Sequence, residues 1–351
     1  MIWLTWRQFR LQALVVLGVV AALAIILAIT GPGLLDNYQS NKTDFLSRAA
    51  YDQINQILYL AGIALLYAAP PVIGAFWGAP LIARELEAGT HRLVWSQSIS
   101  RSRWLAIKVG LTGLTAVAVT GLLSLAVTWW SDPIDDAVGS GEESGIFSMP
   151  RLLPTIFGGR GVVPIGYAAF AFALGVTIGL LVRRSVVAIA ITLAAVVLVQ
   201  ILSPFFLRPH LITPAETTVI VTMENMRGLQ MSGPEDDATV MRVEAKLPGS
   251  GFWKLSENTV NASGQVQSTL PGYLASCGSP PPGLPAAEAA KPRPSMDSCF
   301  KRLADEGYRQ LITYHPASRF WGLQWREAGI FFALAFALTG FCFWRIRRDL
   351  S

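Results

Sequence analysis

Residues 84–104, RELEAGTHRLVWSQSISRSRW, form a short polar interruption between two long apolar runs. The stretch contains two acids and four arginines. Gly89 followed by Thr90 is typical of one helix that ends and another that begins, because glycine adopts the left-handed conformation after a last turn and threonine caps a first turn. Ser100 is a second candidate N-cap. The pattern predicts two short helices on a membrane surface between two spans. The alternative is an ordinary basic loop that only sets topology.

The composition of the whole chain is that of an integral membrane protein. Of its 351 residues, 52% are hydrophobic and 15% are charged, whereas about a quarter are charged in soluble domains. The apolar residues fall into runs near the ~20 residues that cross the hydrocarbon core of a bilayer as a helix. The formal net charge of +5 is small, so nothing indicates nucleic acid as a partner.

Six apolar runs predict six membrane spans, at about residues 11–29, 57–83, 105–130, 162–182, 186–207 and 328–344. Residues 1–10 are amphipathic and predict an interfacial helix, because tryptophan and arginine suit the headgroup region. Gly31-Pro32-Gly33 predicts the end of the first span. Pro70-Pro71 predicts a kink in the second span, and Arg183-Arg184-Ser185 predicts a tight turn between the fourth and fifth.

Basic residues predict the orientation of the chain in the membrane. With the N-terminus inside, the short inner segments carry twelve lysines and arginines and the two short outer loops carry four. This asymmetry follows the positive-inside rule and places both termini in the cytoplasm. The inner set is Arg7, Arg10, Arg84, Arg92, Arg101, Arg103, Lys108, Arg183, Arg184, Arg345, Arg347 and Arg348; the outer set is Lys42, Arg48, Arg151 and Arg160.

Residues 208–326 then form an extracytoplasmic domain. Residues 239–247 alternate apolar and polar side chains, which predicts a half-buried strand. Residues 252–260 and 217–223 are two further candidate strands, and the spacing of Met296, Cys299, Phe300 and Leu303 predicts one short helix. The predicted fold is a membrane all-α protein with an interfacial N-terminal helix (1–10), helices 1–5 (11–207, including a cytoplasmic coupling segment at 82–104), a small α+β extracytoplasmic domain (208–326) between helices 5 and 6, and helix 6 with a cytoplasmic tail (327–351).

The three cysteines divide into one packing residue and one predicted pair. Cys342 lies inside the sixth span and is expected to pack there. Cys277 and Cys299 both lie in the predicted outer domain, where the compartment permits a disulfide. Such a bridge stabilises a domain by roughly 3 kcal/mol in the chain-entropy model; the alternative is two free thiols. No histidine lies at ligand spacing from either thiol, so we expect no metal site.

The source of energy is indicated by what the sequence lacks. With Lys108 assigned to the cytoplasmic end of the third span, no ionisable residue falls in the apolar body of any predicted span. Proton-coupled transporters and voltage sensors need such residues, so the sequence fits neither class. The sequence has no G-x-x-x-x-G-K-[ST] loop, and the dipeptide Gly-Lys does not occur, so ATP is not hydrolysed by that route. Uphill transport would need energy from another polypeptide, and residues 84–104 are the obvious docking surface.

The order of these parts resembles the permease subunit of an ABC transporter of the type-2 exporter class, also called type V. The sharpest likeness is Glu85-x-x-x-Gly89-Thr90-x-x-Leu93 followed by Ser98-x-Ser100-Arg101 and Lys108, which is similar to the coupling-helix pattern of that class. Residues 314–324, YHPASRFWGLQ, resemble a motif of actinobacterial permeases in the class. From the residues alone, this run is an interfacial aromatic belt with Arg319 at the headgroups.

The resemblance implies an assembly and a set of site residues. Two permease subunits, as a homodimer or close heterodimer in the bacterial plasma membrane, would each rest on a cytoplasmic ATPase that holds ATP and Mg; no cofactor is expected on this chain. The ATPase-coupling residues would be Arg84, Glu85, Glu87, Gly89, Thr90, His91, Arg92, Arg101 and Arg103. Helix position suggests Tyr67, Pro70, Pro71, Phe76, Trp77 and Gln200 along a substrate path between spans two and five, with packing or lipid contact as the alternative.

Two hypotheses about function follow. The first is an exporter permease that moves an amphiphilic drug, peptide or lipid outward, since spans without ionisable residues suit such a cargo better than an ion. The second is a membrane sensor or scaffold that does not transport and whose outer domain binds a ligand. A neighbouring ATPase gene would favour the first and a neighbouring histidine kinase the second. A membrane enzyme fits least, because no nucleophile, acid pair or metal ligands cluster in the sequence.

Overall fold

The chain divides into two compact units. The computed structural model describes residues 2–89, 100–142, 144–232, 239–247, 249–277 and 293–349. The first unit, called the helical unit below, contains Met1–Thr213 and Ala317–Ser351, and the second, called the sheet unit, contains Pro214–Pro316.

Helices make up the helical unit. In chain order they are α1 (Ile2–Ser40), α2 (Phe45–Tyr51), α3 (Gln53–Val72), α4 (Ala79–Glu87), α5 (Arg101–Ser140), α6 (Pro154–Phe157), α7 (Val163–Val182), α8 (Ser185–Phe206) and α10 (Phe320–Asp349), with α9 (Met296–Asp305) in the sheet unit. Six helical stretches of the described chain are long and apolar enough to cross a membrane: Phe9–Ser40, Gln53–Glu87, Arg101–Ser140, Val163–Val182, Ser185–His210 and Ala317–Arg348. The six predicted spans are confirmed.

The first helix is longer than the sequence suggests. The predicted end at Gly31-Pro32-Gly33 is wrong, because α1 continues through Pro32 to Ser40, and it also shows no boundary at residue 10. A Cβ added to Gly31 would lie 2.7 Å from the ring of Trp129, and Trp130 Nε1 donates to Thr30 Oγ1 at 2.9 Å. Gly31 therefore lets α1 and α5 approach closely, and these contacts offset the backbone hydrogen bond that proline removes.

The second span contains an irregular segment where the prolines predicted a kink. It consists of α3, a π-helical segment over Ile73–Gly78, and α4. Pro71 has no N–H for the carbonyl of Tyr67, four residues earlier. Gln200 Nε2 on α8 donates to that carbonyl at 3.1 Å. A neighbouring helix thus satisfies the freed backbone group, as an apolar surrounding requires.

Helix α7 is the most buried of the six spans and packs against the π-helical segment through glycines. A Cβ on Gly74 would lie 2.7 Å from the carbonyl oxygen of Ala171, and one on Gly175 would collide with the carbonyl of Gly74. The pairs Gly74–Gly78 and Gly175–Gly179 have the G-x-x-x-G spacing that brings membrane helices into backbone contact. Tight packing at this position fixes the second span against the fourth.

The sheet unit is a small α+β structure. Its strands are β1 (Ala215–Val219), β2 (Met226–Ser232), β3 (Thr239–Ala245), β4 (Trp253–Val260), β5 (Val266–Gln267) and β6 (Arg309–His315). One antiparallel sheet has the order β1-β6-β4-β5, and β2 pairs with β3 separately. The predicted strand at 239–247 is confirmed as β3 up to Ala245, with Val243, Ala245 and Leu247 buried. The disulfide Cys277–Cys299 is present, and both cysteines lie in the core beside Phe300.

Strand β6 shows what the sequence reading missed in this unit. The predicted aromatic belt at 314–324 is wrong in its first part, because Tyr314 and His315 end the central strand. The buried face of β6 contains the polar Gln310 as well as Ile312. The strand therefore lacks the regular alternation of apolar and polar residues that predicts a strand from sequence. The Gln310 side chain is satisfied there by Thr259, at 2.8 Å.

Candidate functional site

The predicted coupling segment is described at its two ends. Helix α4 ends at Glu87, and Gly89 has the positive φ of +68° expected after a last turn. Ser100 caps α5, accepting from the backbone N–H of Arg103 at 3.4 Å. Thr90, His91 and Arg92 lie outside the described residues.

Both acids of this segment bind neighbouring helices. Glu85 forms an ion pair with Lys108 on α5, and the side chains are 17% and 7% exposed. Glu87 accepts from the backbone N–H of Ser185 at 2.9 Å and from its hydroxyl at 2.7 Å. A carboxylate at this position caps the first turn of α8, and its negative charge interacts favourably with the positive end of the helix dipole. The end of the second span is therefore joined to the start of the third and fifth spans.

The arginines of the segment are more accessible. Arg84 and Arg103 are exposed, and Arg101 is half-buried. Beside them, Arg347 Nε near the end of α10 donates to Ser102 Oγ at 3.1 Å. The starts of α5 and α8 and the ends of α4 and α10 thus meet on one end of the helical unit, where exposed guanidinium groups surround internally paired acids.

The six predicted substrate-path residues fall into two groups by the contacts they make. Tyr67 binds backbone, because its hydroxyl donates to the carbonyl of Pro154 at 2.7 Å and accepts from the N–H of Gly158 at 3.2 Å. Pro70 and Pro71 are buried, and Gln200 satisfies the carbonyl of Tyr67. These four residues hold the irregular second span in place. Phe76 and Trp77 instead line a cavity of about 220 Å³ on the other side of that span, next to α1 and α5.

A buried ion pair lies between the end of α8 and the start of α10. Arg208 Nε lies 2.8 Å from Glu327 Oε2, and a second guanidinium nitrogen donates to Oε1 at 3.1 Å. Oε1 also accepts from the hydroxyls of Tyr167 and Ser203, each at 2.9 Å. Arg208 and Glu327 are 1% and 0% exposed. The expectation of spans without ionisable residues is therefore wrong at this position.

The reason for the error is the placement of the predicted boundaries. The fifth predicted span ends at residue 207 and the sixth begins at 328, one residue short of the pair on each side. An arginine and a glutamate that directly flank two apolar runs are a signal for such a pair, since charges in a membrane bundle are expected to bind each other. The absence of ionisable residues from the spans therefore no longer supports an amphiphilic cargo at this position.

A second buried charge lies in a segment predicted as an outer loop. Arg160 is fully buried, and its Nε is 3.8 Å from Asp135 Oδ2 near the end of α5. Its guanidinium group also lies 5.0 Å from the ring centroid of Tyr59. Asp135 belongs to the part of α5 that continues beyond the predicted end of the third span at residue 130.

Gln324, the last residue of the predicted 314–324 motif, caps α7. Its Oε1 accepts from the backbone N–H groups of Val162 and Val163, both at 2.9 Å, and its Nε2 donates to the carbonyl of Phe157 at 3.1 Å. One side chain thereby satisfies two N–H groups at the start of α7 and one carbonyl at the end of α6. The residue fixes the start of the central helix against α10.

Metal-ligating side chains are not grouped in the part of the chain that the structure describes: no three His, Cys, Asp or Glu residues lie close enough there to hold an ion. Cys342 is buried, and its Sγ lies 3.3 Å from Thr177 Oγ1, as expected for a packing residue. His315 is also buried. Cys342 thus packs between two helices, and His315 lies in the sheet unit at the end of β6.

The geometry defines a multi-pass helical membrane protein with one end rich in exposed arginines and a separate disulfide-containing sheet unit. The chain belongs to the ABC-2 membrane transporter related family, whose family model matches residues 17–208. That match confirms the resemblance to type-2 ABC permeases and extends from within the first span to the end region of the fifth. Among curated proteins and among solved structures, no match to the chain was found.

Proposed function

We propose that the chain is the permease subunit of an ATP-driven exporter that moves an amphiphilic drug, peptide or lipid outward. A separate cytoplasmic ATPase subunit binds ATP and Mg and docks on residues 82–104. A second permease subunit, identical or closely related, completes the translocation path. Both termini lie in the cytoplasm, as the distribution of basic residues predicts.

One observation supports the docking role above the others: Glu87 joins the end of α4 to the first turn of α8. A displacement of residues 84–104 by an ATPase would pull directly on the fifth span through this contact and on the third span through Glu85 and Lys108. Exposed Arg84 and Arg103 flank these contacts and offer positive charge to acids of a partner. The segment thus has both a surface for a partner and a connection to the spans.

The test is co-purification of the native operon with a tag on this chain, followed by an ATPase assay. We compare wild type with the double variant Arg84→Glu plus Arg103→Glu. The matched control is Arg48→Glu plus Arg309→Glu, two exposed arginines on the predicted outer side. We expect the ATPase to co-purify with wild type and control and to be at least tenfold depleted in the first variant.

Recovery of the chain without any nucleotide-hydrolysing partner would overturn the exporter proposal. The sheet unit with its disulfide would then favour the sensor or scaffold hypothesis. Equal loss of the ATPase in both double variants would contradict the docking site alone.

A further inference from the structure

Two cavities follow one another along the seam where α1, the second span and α5 meet. The first, of about 220 Å³, is lined by Phe9, Trp77, Arg84, Glu85 and Lys108 among others, and we call it the polar cavity. The second, of about 180 Å³, is lined by residues that include Val16, Leu23, Leu65, Ala69 and Leu123, and we call it the apolar cavity. Trp77 lines both.

The order of lining residues along each helix shows that the two cavities share an axis. On α1 the lining residues pass from Phe9 at the polar cavity to Leu23 at the apolar cavity, a rise of about 21 Å at 1.5 Å per residue. On the second span they pass in the opposite direction, from Leu65 in the apolar cavity to Glu85 in the polar one. The seam is therefore elongated, and the charged side chains of the polar cavity lie at one end of it.

The charges of the polar cavity favour an anion. Glu85 and Lys108 form an ion pair within the seam, and the exposed Arg84 adds a second positive charge to the described lining. Lys108 Nζ is also 5.2 Å from the ring centroid of Trp104. A phosphate can take a second contact from Lys108, because an ammonium group has three donors. Tryptophan and basic side chains at one level are typical of the headgroup region of a membrane.

The apolar cavity favours a hydrocarbon chain and opens to the side. Among the described residues that line it, Thr120 has the one hydroxyl group, and this hydroxyl donates to the carbonyl of Ala116 at 2.9 Å. Val15, Val19 and Val72 line the cavity and are 60%, 53% and 42% exposed on the face that a bilayer would cover. A chain can therefore enter from the surrounding lipid.

We propose that this seam binds one membrane phospholipid with an anionic headgroup. The phosphate contacts Arg84 and Lys108, and one acyl chain lies along the apolar cavity. The site shares Arg84 with the proposed docking surface, but it is formed by a single chain and needs neither an ATPase nor transport, so it goes beyond the proposed function. It also lies on the face of the second span opposite to Gln200, away from the path predicted between spans two and five.

The test uses the full chain reconstituted in nanodiscs that contain phosphatidylglycerol with a diazirine near the acyl terminus. After irradiation, labelled peptides are mapped by mass spectrometry. The site-filling variant is Ala68→Trp, on an exposed lining position of the apolar cavity. The matched control is Ala64→Trp, one turn earlier on the same helix and also exposed. Val72→Phe is a second filling variant should Ala68→Trp fail to fold.

We expect labels to concentrate on residues 15–23 and 65–73, to fall at least fivefold in Ala68→Trp or Val72→Phe, and to persist in Ala64→Trp. Arg84→Gln should lower labelling by phosphatidylglycerol at least threefold and leave labelling by a phosphatidylcholine analogue unchanged. Labels spread over all lipid-facing helices, or unaffected by the filling variants, would overturn the site. Equal labelling by phosphatidylcholine and phosphatidylglycerol would contradict the proposed preference for an anionic headgroup.

Discussion

The two ends of the helical unit use the same devices, an ion pair and a side-chain helix cap, in different surroundings. Helix α8 connects them, since it begins at Ser185 beside Glu87 and finishes just before Arg208. At the finishing end, Arg208 and Glu327 are buried, and Gln324 caps α7 from within the protein. We call this the closed end.

At the other end the pair is less completely buried and the cap is exposed. Glu85 and Lys108 border the polar cavity, and the capping carboxylate of Glu87 is exposed. We call this the open end. At the closed end both charged side chains are completely buried, whereas at the open end Glu85 is partly exposed and Glu87 is exposed. From this difference we expect the contacts of the closed end to be harder to break than those of the open end.

The largest effect is expected from Glu327→Ala at the closed end. The substitution leaves the Arg208 guanidinium buried without its carboxylate, which costs about 3–5 kcal/mol for an ion pair in a protein interior. It also removes the acceptor of the Tyr167 and Ser203 hydroxyls. The measurement is a thermal melt in detergent followed by size-exclusion chromatography.

The double variant Arg208→Met plus Glu327→Leu is the control for this prediction. Replacing both members of a buried pair with apolar residues of similar volume is often neutral, so we expect the double variant to melt closer to wild type than the single one. If the single variant melted no earlier than the double, the closed end would not depend on a buried charge.

A smaller loss is expected from Gln324→Leu. The variant keeps the volume of the side chain but leaves the N–H groups of Val162 and Val163 without their acceptor. An unsatisfied buried donor costs about 1–3 kcal/mol, so the melting temperature should fall less than in Glu327→Ala. Gln53→Leu, at an exposed position on the first turn of α3, is the control and should not change it. If Gln324→Leu and Gln53→Leu had the same melting temperature, α7 would not need this cap.

The closed end was also the part that the sequence predicted least well. Apolar runs fix the number of spans, and strand alternation and two cysteines predict β3 and the disulfide, because these patterns depend on neighbours along the chain. The partners Arg208 and Glu327 lie 119 residues apart, and each reads as a flanking charge by itself. Gln200 likewise looks like a polar group in a path until its bond to the carbonyl freed by Pro71 is seen. Long-range pairing of polar groups therefore escapes a reading by local pattern.

The open end was predicted better, although its acids were assigned only to a partner. Gly89 and Ser100 signal the helix ends correctly, since caps are local. The sequence does not show that Glu85 and Glu87 already bind Lys108 and Ser185. These contacts are again between residues distant in the chain, at 23 and 98 positions apart.

The smallest effect is expected from Lys108→Met at the open end. The variant removes the ammonium group that pairs with Glu85, yet the Glu85 side chain borders a cavity and is 17% exposed. Its side chain is thus less completely buried than that of Glu327, and we expect a loss of about 1–2 kcal/mol, between the values for exposed and fully buried pairs. The same melting assay checks the order relative to Glu327→Ala. If Lys108→Met destabilised the protein as much as Glu327→Ala, Glu85 would be cut off from water in the folded protein. The two ends would then be equally closed, and a docking partner could not exchange the contacts of Glu85 without paying the full cost of a buried charge.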